Sequence, residues 1–215
     1  MSDPTEVVFM DKDGTLIEDL PYNVDPARVR FAPGARAAVR LLGEAGIGIA
    51  VATNQSGVAR GYFSEADLDR LGAHLRDEIE RLGGRLLGFY ACPHLPDGTL
   101  PAFAIECDCR KPLPGLLLTA GRELGANLRA SWFIGDTWMD VAAGQAAGCR
   151  TILIGPEHRD RSTHPAGIEP DAAVPDLLDA VQIVLADRAT RGPLPGARAG
   201  AGAGAAASAG VGSAA

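Results

Sequence analysis

The sequence has few long apolar stretches, no excess of basic residues and no secretory signal pattern at its N-terminus. No apolar run approaches the ~18 residues of a membrane-spanning helix, so the sequence argues against a membrane protein. The 20 Lys and Arg are outnumbered by 27 Asp and Glu, which leaves a formal net charge of −7. Without a basic surplus to neutralise phosphates, a nucleic-acid partner is disfavoured. Because a secretory signal is also missing, we expect a cytoplasmic protein.

The chain also has little room for a second domain. At 215 residues, one domain with an ample core is the default. We expect that domain to cover residues 1–191 and to act as a monomer. From residue 192 onward the chain consists mainly of Gly and Ala and cannot bury a core, so residues 192–215 are predicted to be a disordered tail.

Two carboxylates follow the first predicted strand. The apolar run Val7–Met10 is typical of a buried strand, and Asp11 and Asp13 come directly after it. Gly14 allows a turn that brings both carboxylates to the carboxyl edge of a sheet, where open α/β sheets bind ligands. Close carboxylates repel unless a cation lies between them, and Mg²⁺ prefers such oxygen ligands. From these residues alone, a strand-end turn with two solvated acids is an equally good interpretation.

Three further stretches carry polar side chains to the same predicted edge. The apolar strand of residues 48–52 ends in Thr53 and Asn54, and the apolar strand of residues 132–135 ends in Asp136. Between them lies the sequence Cys-Arg-Lys-Pro of residues 109–112. Alternating strands and helices predict a doubly wound α/β sheet, in which these residues would meet.

The ordered set DKDGT, TN, RKP and GDTWMD resembles the haloacid dehalogenase superfamily of aspartate-nucleophile phosphatases. The resemblance covers roughly residues 7–155. It implies a Rossmann-like, mostly parallel sheet, and only about 40 residues separate the first two motifs, which leaves no room there for a large cap domain.

The resemblance also implies roles for the motif residues. Asp11 would be the nucleophile and form an aspartyl-phosphate, and Asp13 would be the general acid and base. Thr53 and Lys111 would bind the transferring phosphoryl group. Asp11, the backbone carbonyl of Asp13, and Asp136 would hold Mg²⁺, whereas Asp140 would orient its neighbours.

Three of the four cysteines lie within one short loop. Cys92, His94, Cys107 and Cys109 form a Cys₃His set, which satisfies tetrahedral Zn²⁺ with no open position and so predicts a structural zinc loop over residues 92–109. The loop is rich in Pro and Gly, and a metal can fold such a segment where a core cannot. The alternative is a set of loop thiols with a surface histidine. Cys149, left over, is predicted to be a small buried residue.

Within the superfamily, the segments TNQSGVARG, CPH and CDCRKP resemble the D-glycero-D-manno-heptose 1,7-bisphosphate 7-phosphatases of nucleotide-heptose synthesis. The resemblance implies a small phosphorylated sugar as substrate. Two positions depart from it, since Lys12 stands where these enzymes usually have Arg, and Thr137 where a Lys contacts substrate. The candidate substrate contacts are Asp19, Leu20, Pro21, Tyr22, Asn54, Gln55, Ser56, Arg60, Arg110 and Thr137.

Several alternatives stay open at this point. A histidinol-phosphate phosphatase shares most of the motifs, although it typically has a shorter zinc loop. A phosphotransferase would pass the phosphoryl group to an alcohol instead of water. A non-catalytic binding protein on the same fold is disfavoured because the motif residues are intact. From the residues alone, the segment 18–23 would be an ordinary surface loop, and Arg60 is equally well explained as a solvated side chain.

Overall fold

A computed structural model describes residues 6–155 and 166–191 of the chain. Within them, six parallel strands form one sheet in the order β3-β2-β1-β4-β5-β6. The strands are β1 (Val7–Met10), β2 (Gly48–Asn54), β3 (Leu86–Cys92), β4 (Trp132–Gly135), β5 (Arg150–Ile154) and β6 (Ala172–Val174). This sheet confirms the predicted Rossmann-like α/β fold. The predicted tail, residues 192–215, lies outside the described residues.

Five α-helices connect or flank these strands in the described part of the chain. They are α1 (Ala35–Glu44), α2 (Glu65–Arg81), α3 (Gly115–Leu124), α4 (Trp138–Ala147) and α5 (Leu177–Arg191). Among the residues described, no helix is both long and apolar enough to cross a membrane. Ser64 and Asp67 form the capping box that their spacing in the sequence predicts at the start of α2. α3 and α4 end at Gly125 and Gly148, and glycine is typical of a helix C-terminus.

One strand and one helix start differ from the sequence pattern. β3 was not predicted, although its sequence LLGFYAC is apolar at every position except Gly88; as an edge strand it is only partly buried. It ends in Cys92 and so delivers the first of the clustered thiols. Pro33 is typical of a first helical position and predicts a helix start there. α1 instead begins at Ala35, because Gly34 precedes it with φ +74, a left-handed conformation that a helix cannot include.

Helices cover both faces of β1. Val8 and Met10 pack with side chains of α1, α2 and α5, whereas Val7 and Phe9 pack with side chains of α3 and α4. All four residues are buried, as expected for a strand in the middle of a parallel sheet. The polar residues that follow β1 therefore emerge at the centre of the sheet.

An ion-pair cluster joins Arg150, the first residue of β5, to α5. Arg150 lies over the Trp132 ring and donates from both Nη atoms to the carboxylate of Asp187, each at 2.5 Å. Arg191 donates to the same carboxylate at 2.7 Å. The bond from Arg150 is the main reason that the pKa of Asp187 is lowered.

Replacing Asp187 with Asn is expected to lower the free energy of unfolding by ~1 kcal/mol at neutral pH, the upper range for a partly exposed ion pair. Because the folded protein lowers the pKa of Asp187, its contribution is present above the unfolded value and is lost as pH falls through the folded value. The difference between wild type and variant should therefore begin to shrink near the unfolded value of about pH 4 and vanish only below the lower folded value. Urea titrations across pH measure this, with Glu80→Gln as the control. A difference that is independent of pH would contradict it.

Candidate active site

The carboxyl ends of three neighbouring strands form one cleft. Asp11 follows β1, and Thr53 is the second-to-last residue of β2. Asp136 follows β4, which pairs directly with β1. The cleft has a volume of about 220 Å³ and is lined by Asp11, Asp13, Asp19, Thr53, Asn54, Lys111, Asp136, Thr137 and Met139. The structure thus brings together the side chains of all the predicted catalytic and magnesium-binding residues.

The turn after β1 explains why Asp11 and Asp13 share the cleft. Gly14 has φ +76, and a Cβ atom built on it would lie 2.3 Å from Oδ2 of Asp136. Any side chain at this position would therefore collide with that carboxylate. The backbone folds back at once, because Gly14 N donates to the carbonyl of Ile17 at 2.8 Å. Glycine at this position permits both the turn and the approach of Asp136.

Lys111 occupies the floor of the cleft, although it is 100 positions from Asp11 in the chain. Its Nζ lies 2.7 Å from Asp11 Oδ1, 2.5 Å from Asp140 Oδ1 and 3.0 Å from the carbonyl oxygen of Ala52. Asn54 holds the Lys111 backbone in place with two bonds of 3.0 Å, one to its N–H and one from the Asn54 amide to its carbonyl. The side chain of Asn54, predicted to contact substrate, thus makes two hydrogen bonds within the protein.

Asp140 is held by hydrogen bonds from both sides. Its Oδ1 accepts from Lys111, and its Oδ2 accepts from the backbone N–H and the hydroxyl of Thr137, at 3.0 and 2.5 Å. The same bonds cap the start of α4. These contacts match the orienting role that the sequence predicts for Asp140, and they use the polar atoms of Thr137 within the protein.

The buried charges of the cleft do not balance. Burial raises the pKa of Asp11 to about 7, against the opposing effect of the Lys111 ammonium. Burial disfavours the charge of Lys111, but Asp11 and Asp140 outweigh it and raise its pKa. Carboxylate oxygens of Asp11, Asp136 and Asp140 lie within 4.8 Å of one another. An oxygen-rich, negatively charged cluster of this size fits a hard divalent cation such as Mg²⁺.

Asp13 is linked to Thr53 through a third side chain. Gln55 Nε2 donates to Asp13 Oδ2 and to Thr53 Oγ1, both at 3.0 Å. Lys12 Nζ lies 2.7 Å from the other oxygen, Asp13 Oδ1, and its side chain is only 1% exposed. Sequence reasoning treated Lys12 only as a departure from relatives and missed this contact. A lysine between two acids at the end of a buried strand was the available signal.

A second cleft adjoins the first at Asp13, Asp19 and Asn54. It has a volume of about 260 Å³ and is lined by Lys12, Asp13, Asp19, Pro21, Tyr22, Asn23, Asn54, Gln55, Ser56 and Gly57. At its rim, Tyr22 adopts φ +56, which is unusual for a residue with a side chain. Its ring meets that of Tyr62 edge to face, with centroids 4.8 Å apart. Tyr62 is a further aromatic side chain at this rim that the sequence did not single out.

A third cleft lies on the other side of Lys111, under the Cys-rich loop. It has a volume of about 420 Å³, is lined mainly by apolar side chains and includes Arg110 and Met139. Arg110 Nη1 donates to the carbonyl of His94 at 3.2 Å. Leu20 and Arg60 are the predicted contacts that line none of these three clefts. Arg60 nevertheless has a buried Nε atom with no hydrogen-bond partner.

The three clustered thiols and His94 form a compact group of donor atoms. Cys109 Sγ lies 3.0 Å from Cys92 Sγ and 3.3 Å from both Cys107 Sγ and His94 Nδ1. Burial and the neighbouring thiols raise the pKa of Cys109. A zinc–sulfur bond of ~2.3 Å gives a tetrahedron with edges of roughly 3.7 Å, and the separations of the donor atoms in this group range from 3.0 to 3.8 Å. The group therefore fits tetrahedral Zn²⁺. Cys149 is buried elsewhere, as predicted.

Comparisons with known proteins agree with this fold and this site. A family model described as HAD-hydrolase-like matches residues 108–180. The chain is 36% identical to D-glycero-β-D-manno-heptose-1,7-bisphosphate 7-phosphatase of Yersinia pestis over 84% of its own length and 94% of that protein. It is 38% identical to the enzyme of the same name from Escherichia coli K12 over 72% of this chain and 81% of that one.

Solved structures give the same result. The crystal structure of D,D-heptose 1,7-bisphosphate phosphatase from B. bronchiseptica, complexed with magnesium and phosphate, matches with a TM-score of 0.72 and 28% identity. The match covers 85% of this chain and 99% of that one.

The parallel sheet with its carboxylates and Lys111 at one edge defines a hydrolase of the haloacid dehalogenase superfamily, an enzyme that acts on phosphoric monoesters. Within that superfamily, the chain belongs to the family of the heptose-1,7-bisphosphate 7-phosphatases.

Proposed function

We propose that this enzyme removes the C7 phosphate of D-glycero-β-D-manno-heptose 1,7-bisphosphate and leaves the C1 phosphate in place. The observation that carries the proposal is the cleft in which Asp11, Asp13, Thr53 and Lys111 meet at one edge of the sheet. The relatives that act on this substrate match most of the chain.

In the first step, a carboxylate oxygen of Asp11 attacks the phosphorus, and the bond from phosphorus to the sugar oxygen breaks. Asp13 donates its proton to that leaving oxygen. Lys111, bonded to Asp11 Oδ1, keeps the carboxylate oriented, and Thr53 and Lys111 bind the phosphoryl oxygens. The product of this step is an aspartyl-phosphate.

In the second step, Asp13 accepts a proton from water, and the water oxygen attacks the phosphorus of the aspartyl-phosphate. The bond from phosphorus to Asp11 breaks, which releases inorganic phosphate and restores the Asp11 carboxylate. Asp13 is then protonated again for the next turnover. One residue thus serves as acid and then as base, which requires that its position be well defined.

Asp11, Asp136 and the backbone carbonyl of Asp13 would hold Mg²⁺ at this edge. When bound, the cation neutralises charge that develops on the phosphoryl group. Its binding also suits the excess of buried carboxylates over lysines, since both Asp11 and Asp136 are buried.

Cys92, His94, Cys107 and Cys109 would hold a structural Zn²⁺. With four protein ligands there is no open position for substrate. Its contribution to activity would be indirect, because Arg110 and Lys111 follow Cys109 immediately and Arg110 bonds to the carbonyl of His94. The zinc would therefore fix the segment that carries the phosphate-binding lysine.

The sugar would lie over the catalytic cleft, between Arg110 on one side and, on the other, the cleft beside Asp13 and Asp19. Tyr22 and Tyr62 form an aromatic wall at its rim, and such faces pack well on the apolar side of a sugar ring. Pro21, Gln55 and Ser56 line the same cleft. With only about 40 residues between the first two motifs, selectivity has to come from loops of this kind.

The first test is a phosphate-release assay with Mg²⁺ on the heptose 1,7-bisphosphate and on histidinol phosphate. We expect the bisphosphate to have the higher kcat/KM, with phosphorus NMR showing that the C1 phosphate remains. A higher kcat/KM for histidinol phosphate would overturn the proposed substrate. Rapid phosphoryl transfer to added alcohols would instead indicate a phosphotransferase.

Arg110→Ala is expected to lower kcat/KM for the bisphosphate by roughly 10- to 150-fold, the cost of ~1.5–3 kcal/mol for one charged hydrogen bond. A simple monophosphate should be affected much less. The reason is that Arg110 lines a cleft next to Lys111, where a guanidinium suits the phosphate that is not cleaved.

Arg60→Ala is the matched comparison for this prediction, because Arg60 is the alternative cation for the second phosphate. A selective loss with Arg60→Ala and none with Arg110→Ala would contradict the assignment to Arg110.

The single domain over residues 1–191, the monomeric state and the cytoplasmic location stay predictions. Size-exclusion chromatography with light scattering measures the oligomeric state directly.

A further inference from the structure

Lys12 is buried to an extent that is rare for lysine. Its side chain is 1% exposed, although it lies beside the open cleft. Buried lysines are found almost only with a charged partner. Among the described residues, the ion-pair partner of Lys12 is Asp13, with Nζ 2.7 Å from Oδ1. Because Lys12 is buried with Asp13 as its charged partner, we look for its role in the function of Asp13.

The second oxygen of Asp13 is also held. Gln55 Nε2 donates to Oδ2 at 3.0 Å and, at the same distance, to the hydroxyl of Thr53. Bonds to both oxygens fix the rotation of the carboxylate about its two side-chain torsions. The network Lys12–Asp13–Gln55–Thr53 therefore fixes the position of the general acid, Asp13, relative to Thr53, a phosphate-binding residue of the neighbouring strand.

The two lysines Lys12 and Lys111, both buried, have separate partners. Lys111 contacts Asp11 and Asp140, whereas Lys12 contacts Asp13. Asp13 lines the cleft together with Asp11 and Asp136, and its side chain is 28% exposed. Without Lys12, Asp13 Oδ1 loses its charged partner, and the Gln55 bond to Oδ2 is left to hold the carboxylate against rotation toward solvent.

We propose that Lys12 is the positioning residue for Asp13, which it holds where the proton of the leaving oxygen is transferred. This inference rests on the proposed function, in which Asp13 first protonates the sugar oxygen and then activates water. Lys12 itself does not touch the substrate in this scheme.

The leaving group distinguishes positioning from a general effect of charge. A sugar alkoxide is a poor leaving group and needs the proton of Asp13, whereas p-nitrophenolate leaves without one. General acid catalysis typically contributes ~10²–10⁴-fold. Loss of the positioning contact should therefore affect the first step for the sugar phosphate and spare it for p-nitrophenyl phosphate.

The experiment compares full-length Lys12→Gln and Lys12→Arg with wild type at saturating Mg²⁺ in rapid-quench measurements. For Lys12→Gln, we expect single-turnover cleavage of the heptose 1,7-bisphosphate to slow by ~10²-fold. The rate of the p-nitrophenolate burst should stay within ~3-fold of wild type. The steady-state rate of p-nitrophenyl phosphate hydrolysis should fall, because water activation in the second step also needs Asp13. Lys12→Arg, which keeps the charge and a donor, should recover most of the sugar-phosphate rate.

Equal losses in single-turnover cleavage of the bisphosphate and in the p-nitrophenolate burst would overturn the inference and indicate a general charge or folding effect. Thermal melting and Mg²⁺ titration would show such an effect as a lowered melting temperature or weaker Mg²⁺ binding. Unchanged kinetics in Lys12→Gln would also overturn it. Asp13→Asn separates this from the proposed function. If Asp13→Asn still cleaves the bisphosphate at the wild-type rate, the proton-transfer role of Asp13 is wrong; if it does not and Lys12→Gln does, only the role of Lys12 is wrong.

Discussion

Replacing Asp11 with Asn is expected to abolish phosphate release, with a fall in kcat of roughly 10⁴-fold or more, the scale seen when an enzyme loses its nucleophile. The amide cannot form an acyl phosphate, and Asp13, the other carboxylate after β1, is held on both oxygens by Lys12 and Gln55. Asp136 and Asp140 lie near it, but Asp140 is bonded on both oxygens to Lys111 and Thr137. The measurement is phosphate release from the heptose 1,7-bisphosphate with Mg²⁺.

Stability should not fall in the same variant. Asp11 is one of three buried carboxylates that share the cleft, so removing its charge relieves repulsion while Lys111 keeps Asp140 as a partner. We therefore expect a melting temperature equal to or above that of wild type in metal-free buffer. Asp77→Asn, an exposed carboxylate on α2, is the matched control. Asp11→Ala guards against deamidation of Asn, and clear turnover by both variants would show that Asp11 is not the nucleophile.

The protein as isolated is expected to carry one zinc ion, and its loss should have a large effect on stability. Structural zinc in zinc-finger peptides has an apparent binding free energy of ~10–16 kcal/mol at neutral pH. Residues 93–106 contain no helix or strand, so the donor cluster supplies the main cross-link within this loop. Cys107→Ser should lower the melting temperature and, through the adjoining Arg110 and Lys111, the rate.

Cys149→Ala is the matched control for this prediction, since its thiol is buried away from the cluster. Metal analysis and thermal melting with and without a chelator provide the measurements. If the isolated protein contains no zinc, and Cys107→Ser melts and turns over like wild type, the structural zinc assignment fails.

The comparison of sequence and structure separates local from long-range effects. β1 and its two following acids, the capping box of Ser64 and Asp67, and the glycines that end α3 and α4 were predictable from neighbouring residues. β3 was not predicted, although its sequence is apolar at every position except Gly88, which interrupts the run. The start of α1 was displaced by Gly34, whose left-handed backbone cannot be seen in its neighbours.

The polar groups of the site show the same division. The sequence predicted that Asp11, Thr53, Lys111 and Asp136 would share a site, although it could not say which oxygen meets which nitrogen. Asn54 was predicted to contact substrate, yet both ends of its amide bond to the backbone of Lys111, 57 positions away. Lys12 was seen as a simple replacement for Arg, and its burial against Asp13 became visible only in the fold.

By itself, the sequence determined the class of this protein. It predicted a parallel sheet in which one strand is followed by two acids, a second ends in a hydroxyl and a third is followed by a further acid. It also placed a lysine and a Cys₃His loop between the second and third of these strands. It could do so because a strand end and its following turn are set by adjacent residues. The tertiary structure alone decided that β4 lies beside β1, that Lys111 pairs with Asp11 and Asp140, and that Lys12 turns inward. The order of strands, and the side chains that packing buries together, depend on contacts across the whole chain.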